Sequence, residues 1–372
     1  MKIILAIIIL VLTISPCFSD ETVLNIGQNI TSVFFDENSK QLYVGCCDVV
    51  AEQERHNLEN FALRIIDTST MTETGKLSLD NLPTCISTTK DGKFILVGLS
   101  RMRNVFTTND NGILLKIDSE TLKTVSQIAF DKSIDTMIVD KSGQYVYLRL
   151  ETDENQSYKV KENLKETNIL CKIDIKSMKV VADCPLSDLW SEGMALSSDG
   201  LKLFMINFEG ESSYSLFSIY RTDNLAQIKI MPFPGGYPSY AVADDDRLFF
   251  SLDYYSPRST PTLFEIDMDK CEILKEHYFG IVNFTSLYQE PGSDILYCTT
   301  SQPVEKDSDN GSKYELKNSN KLMLVNTTDF TSETMSIGDE PFALISTYKI
   351  GDFRRFLIIK GDGKSIVAYD MK

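Results

Sequence analysis

Short apolar runs alternate with turn residues along nearly the whole chain, and the same order of elements recurs seven times. Each unit has an apolar strand, a turn rich in Asp, Ser and Gly, a second apolar strand, a variable loop, a third strand and a fourth. The second strands are the clearest, and their second residues are Leu42, Ile95, Val146, Phe204, Phe249, Leu296 and Leu357. The intervals of 45 to 61 residues match a blade of four strands, whose period is roughly 40 to 50 residues, with loop insertions.

The turns of these units have a recurring chemistry. First and second strands are separated by residues such as Asp91-Gly92 and Asp199-Gly200, which tolerate the left-handed backbone of tight hairpins. Third strands end in Ile-Asp in four units, at Asp67, Asp118, Asp174 and Asp267. An Asp at a strand end can accept hydrogen bonds from turn amides two residues on, so these acids are assigned a structural role.

The two ends of the chain complete one another. The last unit stops after its third strand, at 364–370, whereas residues 22–26 form a fourth strand with no strand before it. Pairing of these segments closes a ring and leaves no open sheet edge between the ends. The sequence therefore predicts an all-β fold, a seven-bladed β-propeller of four-stranded antiparallel blades, with residues 20–372 as one domain.

The units resemble the repeats of YVTN-type β-propellers, a family common in surface-layer and other exported proteins. The resemblance rests on the Asp-Gly turns, on Leu-Tyr-Val-Gly at 42–45, on Ile-Asp-Ser-Glu-Thr at 117–121, and on prolines that open first strands, Pro83, Pro238 and Pro341. It covers essentially the whole chain after residue 19. Such propellers include binding proteins, scaffolds and some enzymes, so the resemblance implies the fold rather than an activity.

Residues 1–19 have the pattern of a secretory signal. A basic Lys2 precedes an apolar run over 3–14, and Ser19 is the small residue after which we expect cleavage. The run is shorter than the roughly 20 residues of a membrane-spanning helix, and no later stretch is longer. Lipid attachment at Cys17 is the second interpretation, because Pro16 suits that processing poorly.

An exported chain with several Asn-x-Ser/Thr sequons is expected to carry N-linked glycans. The five sequons lie at Asn29, Asn155, Asn283, Asn310 and Asn326. The first four map to the face with the long loops, and the fifth maps to the opposite face. We therefore expect a secreted or cell-surface glycoprotein that uses the eukaryotic secretory pathway.

Eight cysteines occur, and loss of Cys17 with the signal leaves seven, an odd number in an oxidising compartment. Cys171 and Cys184 flank a hairpin centred between Ser177 and Met178, which predicts that they lie directly opposite one another and form a disulfide. A second pairing would join Cys85 with Cys46 or Cys47. No Cys-x-x-Cys pair occurs, and only two histidines are present, which argues against a zinc site.

In a propeller, the loops from second to third strands share one face with the loops from fourth strands to the next first strands. We expect a functional site on that face, in loops that include 46–60, 149–168 and 299–320. The last two loops are rich in charged residues, and the alternative is that they are insertions that the fold tolerates. Asp135, Glu192 and Glu340 precede first strands and are candidates for calcium ligands around the channel mouth. The alternative is that they are scattered acids of an acidic protein.

A second candidate on that face is aromatic. Trp190, Tyr237, Tyr254 and Tyr255 are predicted to lie in loops of two adjacent blades. Exposed aromatic rings suit the recognition of sugars or peptides. The alternative is ordinary packing of rings within the loops.

The net charge and the absence of certain motifs disfavour several classes of function. The net charge of −16 disfavours a nucleic acid or an anionic membrane as partner, and no Gly-x-Ser-x-Gly or phosphate-binding loop occurs. The first hypothesis is a non-enzymatic extracellular module that binds a protein or glycan and needs no cofactor. The alternatives are a metal-dependent hydrolase of lactonase type, which would use calcium at the channel mouth, and a structural component of a coat or envelope.

Overall fold

The protein is all-β in a computed structural model. The structure describes residues 18–52, 55–100, 111–151, 168–186, 190–209, 214–234, 237–244, 246–253, 262–280, 283–290, 292–305, 314–337 and 341–371. These residues form 28 strands arranged in seven four-stranded antiparallel sheets. Over the same residues, no helix has the length and apolar character needed to cross a membrane. The predicted fold class is confirmed.

Six blades are continuous in sequence, and the seventh combines both ends of the chain. Blade 1 contains β2 (Asn29–Asp36), β3 (Gln41–Glu52), β4 (Arg55–Asp67) and β5 (Thr72–Ser78). Blade 2 contains β6 (Leu82–Thr88), β7 (Phe94–Ser100), β8 (Gly112–Asp118) and β9 (Thr124–Phe130). Blade 3 contains β10 (Ser133–Val139), β11 (Tyr145–Glu151), β12 (Asn168–Asp174) and β13 (Lys179–Leu186). Blade 4 contains β14 (Trp190–Leu196), β15 (Lys202–Glu209), β16 (Tyr214–Arg221) and β17 (Gln227–Pro234).

The remaining blades follow the same order. Blade 5 contains β18 (Tyr237–Asp244), β19 (Arg247–Asp253), β20 (Thr262–Asp267) and β21 (Glu272–Tyr278). Blade 6 contains β22 (Asn283–Gln289), β23 (Ile295–Glu305), β24 (Tyr314–Asn326) and β25 (Ser332–Ser336). Blade 7 contains β26 (Pro341–Ile350), β27 (Phe353–Lys360), β28 (Ser365–Met371) and, as its outer strand, β1 (Phe18–Asn25).

The apolar core lies between the blades rather than in one central mass. Because successive side chains of a strand point to opposite faces, Leu42 and Val44 of β3 pack toward blade 7, whereas Tyr43 packs toward blade 2. The same alternation produces seven buried clusters, one at each interface between neighbouring blades. This is why the second strands have nearly continuous apolar sequences.

The turns from third to fourth strands confirm the structural role of the repeated Asp residues. Asp67 Oδ1 accepts hydrogen bonds from the backbone N–H groups of Ser69 and Thr70, at 2.7 and 3.2 Å. Asp118 and Asp174 cap their turns in the same way, with Thr121 and Ser177 as donors. These bonds are local to each turn.

The same turns contain a feature that the sequence did not reveal. Six of them end in a non-glycine residue with left-handed backbone, at φ between 50° and 58°; these are Met71, Leu122, Met178, Leu225, Cys271 and Phe330. Left-handed backbone costs an L-residue roughly 1–2 kcal/mol. All of them except Leu122 are buried, and burial of a large apolar side chain contributes about 1.5–3 kcal/mol. Packing against a neighbouring blade therefore offsets the backbone cost.

Ring closure follows the predicted pairing. Thr22, Val23 and Leu24 of β1 lie opposite Ala368, Val367 and Ile366 of β28. Beyond the strand, the backbone N–H of Ile26 donates to the carbonyl of Lys364 at 2.8 Å. The closing strand starts at Phe18, earlier than the predicted residue 22, and the closure itself is confirmed.

A second contact joins the last blade to the first. Arg355 of β27 donates to the carbonyl oxygens of Thr68 and Ser69 in blade 1, at 2.7 and 2.9 Å. Its guanidinium is oriented by both carboxylate oxygens of Asp370, at 2.7 and 2.6 Å, and this pairing raises the pKa of Arg355. The Tyr348 hydroxyl donates to the same Thr68 carbonyl at 3.0 Å.

Deletion of residues 20–25 is expected to lower the melting temperature by at least about 5 °C, because blade 7 loses its outer strand and the ring loses its closure. Loss of ~2 kcal/mol already shifts a domain of this size by several degrees. The control is Val23→Thr, which keeps the pairing and changes a side chain that is 49% exposed. Thermal unfolding followed by circular dichroism measures both, and an unchanged midpoint in the deletion variant would contradict closure by β1.

Candidate interaction face

We use the term loop-rich face for the side of the ring where second strands pass to third strands and fourth strands pass to the next first strands. Near this face, every first strand is interrupted by a β-bulge at the same position. A bulge leaves one residue unpaired and redirects its side chain. The unpaired residues, in blade order, are Thr31, Thr84, Asp135, Glu192, Ser239, Thr285 and Phe342.

Two of these bulge residues link one blade to the next. The Thr31 hydroxyl donates to the carbonyl of Pro83 at 2.7 Å, and the Thr84 hydroxyl donates to the carbonyl of Ile134 at 2.8 Å. In each case the acceptor is the residue just before the bulge of the following blade. Sequence analysis missed these threonines, because a bulge is defined by strand register and has no residue signature of its own.

Blade 3 replaces the hydroxyl with a carboxylate that has a cation as partner. The guanidinium of Arg149, whose side chain is fully buried, donates to Asp135 Oδ2 at 2.8 Å and forms a second ion pair with Glu151. Burial raises the pKa of Asp135, and the charge and hydrogen bond of Arg149 act in the opposite direction. The candidate calcium ligand Asp135 is therefore held by an internal arginine.

The other two candidate ligands are placed only in part. Glu192 occupies the same bulge position as Asp135 in the adjacent blade, so the structure brings these two backbone positions to the channel mouth. Glu340 lies outside the described residues. Within the ranges that the structure describes, no group of three or more His, Cys, Asp or Glu side chains is arranged to hold a metal ion.

The aromatic candidates are also placed only in part. Trp190 and Tyr237 are the first residues of β14 and β18, paired with Phe208 and Asp253. They lie on adjacent first strands at the loop-rich face, rather than in loops as predicted, because strand pairing extends to them. Tyr254 and Tyr255 lie outside the described residues, so the aromatic patch stays a prediction.

Two hairpins extend past the body of their blades on this face. In blade 1, β3 pairs with β2 only as far as Cys47, and β4 pairs with β5 only from Ala62. Within the described chain, residues 48–52 pair only with 55–59. In blade 6, residues 302–305 pair in the same way with 314–317. Segments expected as loops within 46–60 and 299–320 are thus extended β-hairpins.

A polar network holds the base of the blade 1 hairpin. The Gln28 side-chain amide donates to the carbonyl of Asn60 at 2.8 Å and accepts from Arg64 at 2.8 Å. Asn60 has left-handed backbone, at φ 53°, and its side chain donates to Asp48 at 2.8 Å. An irregularity after the Cys46–Ala62 pair allows the hairpin to change direction here. The hairpin therefore starts from a fixed base.

Blade 7, which lies between these two hairpins in the ring, has no such extension. Its second and third strands are joined by the short turn 361–364, closed by Gly363 at φ 63°. At the inner end of this blade, the bulge residue Phe342 is 44% exposed. Blade 7 is thus lower than its neighbours on the loop-rich face, with a hairpin on each side.

The predicted disulfides are wrong in their register. Cys171 lies opposite Asp183, and Cys184 lies opposite Leu170. The turn is centred one residue earlier than predicted, with Asp174 opposite Lys179, and a β-bulge after Lys172 then shifts the pairing by one residue. Neighbouring residues of a strand face opposite sides, so Cys171 packs between blades 2 and 3 and Cys184 packs between blades 3 and 4. The two sulfurs are separated by the sheet.

The second pairing is wrong for a similar reason. Cys46 belongs to the cluster between blades 7 and 1, and Cys85 packs against the cluster between blades 2 and 3. Cys47 is buried in blade 1, opposite Asn29. All of the cysteines that the structure describes are free, namely Cys46, Cys47, Cys85, Cys171, Cys184, Cys271 and Cys298.

The sequons that the structure describes lie on the predicted faces. Asn29 and Asn283 are the first residues of β2 and β22, at the loop-rich face, and Asn326 ends β24 at the opposite face. Asn155 and Asn310 lie outside the described residues. Whether these asparagines carry glycans stays a prediction.

Comparisons with known proteins place the fold. No family model matches the chain, and no curated protein matches it in sequence; membership of the YVTN-type family therefore stays a prediction. Among solved structures, the β-propeller domain of Cps50 (Swd1) from Myceliophteria thermophila is similar, with a TM-score of 0.63, 12% identity, and coverage of 96% of this chain and 100% of that one. A chain in the crystal structure of the mitotic checkpoint complex is similar, with a TM-score of 0.65 and 11% identity. The alignment covers 100% of this chain and 97% of that chain. At these identities the likeness shows a seven-bladed β-propeller and nothing further.

Alkylation should confirm the free thiols. Burial raises the pKa of Cys171 to about 12 and that of Cys184 to about 11, so both are protonated at pH 8 and should react slowly in the folded protein. After unfolding without reductant, mass spectrometry should find both peptides alkylated by iodoacetamide. A peptide in which Cys171 and Cys184 are linked would contradict the register described above.

Removal of the buried arginine should destabilise the channel mouth. Arg149→Met is expected to cost roughly 3 kcal/mol at pH 7, because Asp135 and Glu151 lose the cation that separates them. Burial then raises the pKa of Asp135 unopposed, above its value in the unfolded chain. Stability conferred by such a group is present at low pH and is lost as pH rises through the folded pKa, so the variant should lose less at pH 5 than at pH 7.

The double variant Arg149→Met/Asp135→Asn is the matched control for this experiment. Removing the carboxylate should restore part of the lost stability and weaken the dependence on pH. Denaturant unfolding at the two pH values measures all three proteins. A loss in Arg149→Met that is equal at both pH values, and not reduced in the double variant, would show that the ion pair is not its cause.

Proposed function

We propose that the protein is a secreted, N-glycosylated β-propeller that acts as a non-enzymatic protein-interaction module. The observation that carries the proposal is the two pairs of strands, 48–52 with 55–59 and 302–305 with 314–317, which extend from a closed ring on either side of blade 7. Five paired residues in each strand of the first hairpin correspond to roughly 16 Å of projection. Such an arrangement presents partner-binding strands on a rigid base.

The site geometry favours binding over catalysis. At the channel mouth, the hydroxyls of Thr31 and Thr84 are used for bonds between blades, and Asp135 is paired with Arg149. A guanidinium in this position opposes the binding of a cation there. This disfavours calcium at Asp135, which is the chemistry that the hydrolase of lactonase type would need.

Glycans would direct contacts to the hairpins. Asn29 and Asn283 begin the first strands of the two blades that carry the hairpins, so sugars attached there would cover the rim of the channel mouth. Large, flat contacts with the mouth would then be obstructed, and the parts that project past the rim would stay accessible. The chain that is similar in the mitotic checkpoint complex belongs to a multiprotein assembly, and this supports an interaction role by analogy of fold only.

The test is capture of partners by the full chain, expressed through a eukaryotic secretory pathway and cross-linked in a native secretion or cell-surface fraction. Treatment with an N-glycosidase should first lower its mass. Replacing both 48–59 and 302–317 with Asn-Gly turns should abolish capture. A variant altered on the opposite face, Lys90→Ser/Lys93→Ser, is the control and should retain it. Equal capture by the hairpin variant and the native chain would exclude the hairpins as the binding site, and no capture by the native chain would contradict an interaction module.

A further inference from the structure

The blade 1 hairpin has an open strand edge, on the side of β3 that β2 covers in the body of the blade. Up to Cys47, the inner edge of β3 is covered by β2. In residues 48–52, that edge has no strand beside it within the described chain, while the other edge pairs with 55–59. A strand edge of this kind presents backbone N–H and C=O groups that can bind another extended chain.

The equivalent strand in blade 6 contains a proline. There, β23 continues as Gln-Pro-Val-Glu over 302–305, with Pro303 in the stretch that pairs only with β24. Proline has no backbone N–H and is a common means of protecting an edge strand from further pairing. The blade 1 segment, Asp-Val-Val-Ala-Glu over 48–52, contains no proline. Of the two hairpins, only the one in blade 1 has an uninterrupted edge.

The amino-acid sequence of this hairpin indicates the charge of the occupant. Residues 48–59 contain four acidic residues, Asp48, Glu52, Glu54 and Glu59, against one base, Arg55. Val49 is 44% exposed beside the buried Cys47. An acidic strand with an exposed β-branched residue is complementary to an extended segment in which Lys or Arg alternates with apolar residues. A second copy of this chain would bring like charges together, which disfavours pairing of the hairpin with itself.

We propose that the inner edge of 48–52 binds an extended, basic segment of a partner protein by adding it to the hairpin as a further strand. This rests on the proposed interaction function and names its docking edge. The network of Gln28, Asn60 and Asp48 at the base holds the edge in place before binding, and this reduces the entropy lost on association.

The experiment uses the full chain and a displayed library of random dodecapeptides as the probe. Val49→Pro and Val50→Pro are both prepared, because amides of successive strand residues point to opposite edges. One of the two variants removes an N–H that points away from β4, and it should keep the native melting temperature. The other removes an N–H that bonds to β4, and its melting temperature should fall. The variant with the native melting temperature is the informative one. Lys90→Ser/Lys93→Ser, on the opposite face of the ring, is the control.

Selected peptides should alternate Lys or Arg with β-branched residues. Their affinity should fall at least tenfold in the informative proline variant and stay unchanged in Lys90→Ser/Lys93→Ser. Hydrogen exchange should show new protection of the amides in 48–52 when the peptide binds. Peptides that bind the proline variant as tightly as the native chain would overturn the docking edge and leave the interaction module in place. If no peptide is selected and no partner is captured, both the docking edge and the proposed interaction function are wrong. Pairing of the edge with a second copy would appear as a dimer by light scattering and would overturn the partner assignment.

Discussion

The architecture depends on pairing between the two ends of the chain. Each propeller blade buries its faces only against its neighbours, so an open ring would expose one face of blade 1 and one face of blade 7 to water. The strand Phe18–Asn25 prevents this by completing blade 7 beside Ser365–Met371. Arg355 adds a second connection, because its guanidinium is oriented by Asp370 and bonds to two carbonyls of blade 1. Closure is therefore made once by backbone pairing and once by a side chain.

Contacts of the second kind recur around the ring. Lys116 of blade 2 donates to the carbonyl of Ile175 in blade 3, at 3.0 Å, and Lys172 of blade 3 donates to that of Thr222 in blade 4, at 2.8 Å. In both cases, as with Arg355, the acceptor belongs to the turn between third and fourth strands of the following blade. A cation thus reaches from one blade to a turn carbonyl of the next. On the loop-rich face, the hydroxyls of Thr31 and Thr84 make the corresponding links.

The features suited to function are those in which one blade departs from the repeat. Asp135 stands where four of the other six blades have Thr or Ser, and it pairs with the fully buried Arg149 at the channel mouth. The hairpins of blades 1 and 6 depart further, since their strands continue where neighbouring strands have ended. A ring that is held at every interface can tolerate such local departures, because the energy of the fold lies in the clusters between blades.

Periodicity alone determined most of the fold. The alternation of apolar residues predicted the seven second strands, the Asp residues at strand ends predicted their own turns, and the unmatched strands at the two ends predicted closure. These features depend on nearest neighbours in sequence or on a repeat, and both can be seen in a single sequence.

The tertiary structure decided the features that depend on the register between strands. A turn centred between Lys176 and Ser177, together with the bulge after Lys172, placed Cys171 and Cys184 on opposite faces, although their spacing in the sequence predicted that they face one another. Three other features likewise depend on how neighbouring strands are aligned, which the sequence pattern does not show. They are the ion pair of Asp135 with Arg149, the left-handed backbone of Met71 and Leu225, and the open edge at 48–52.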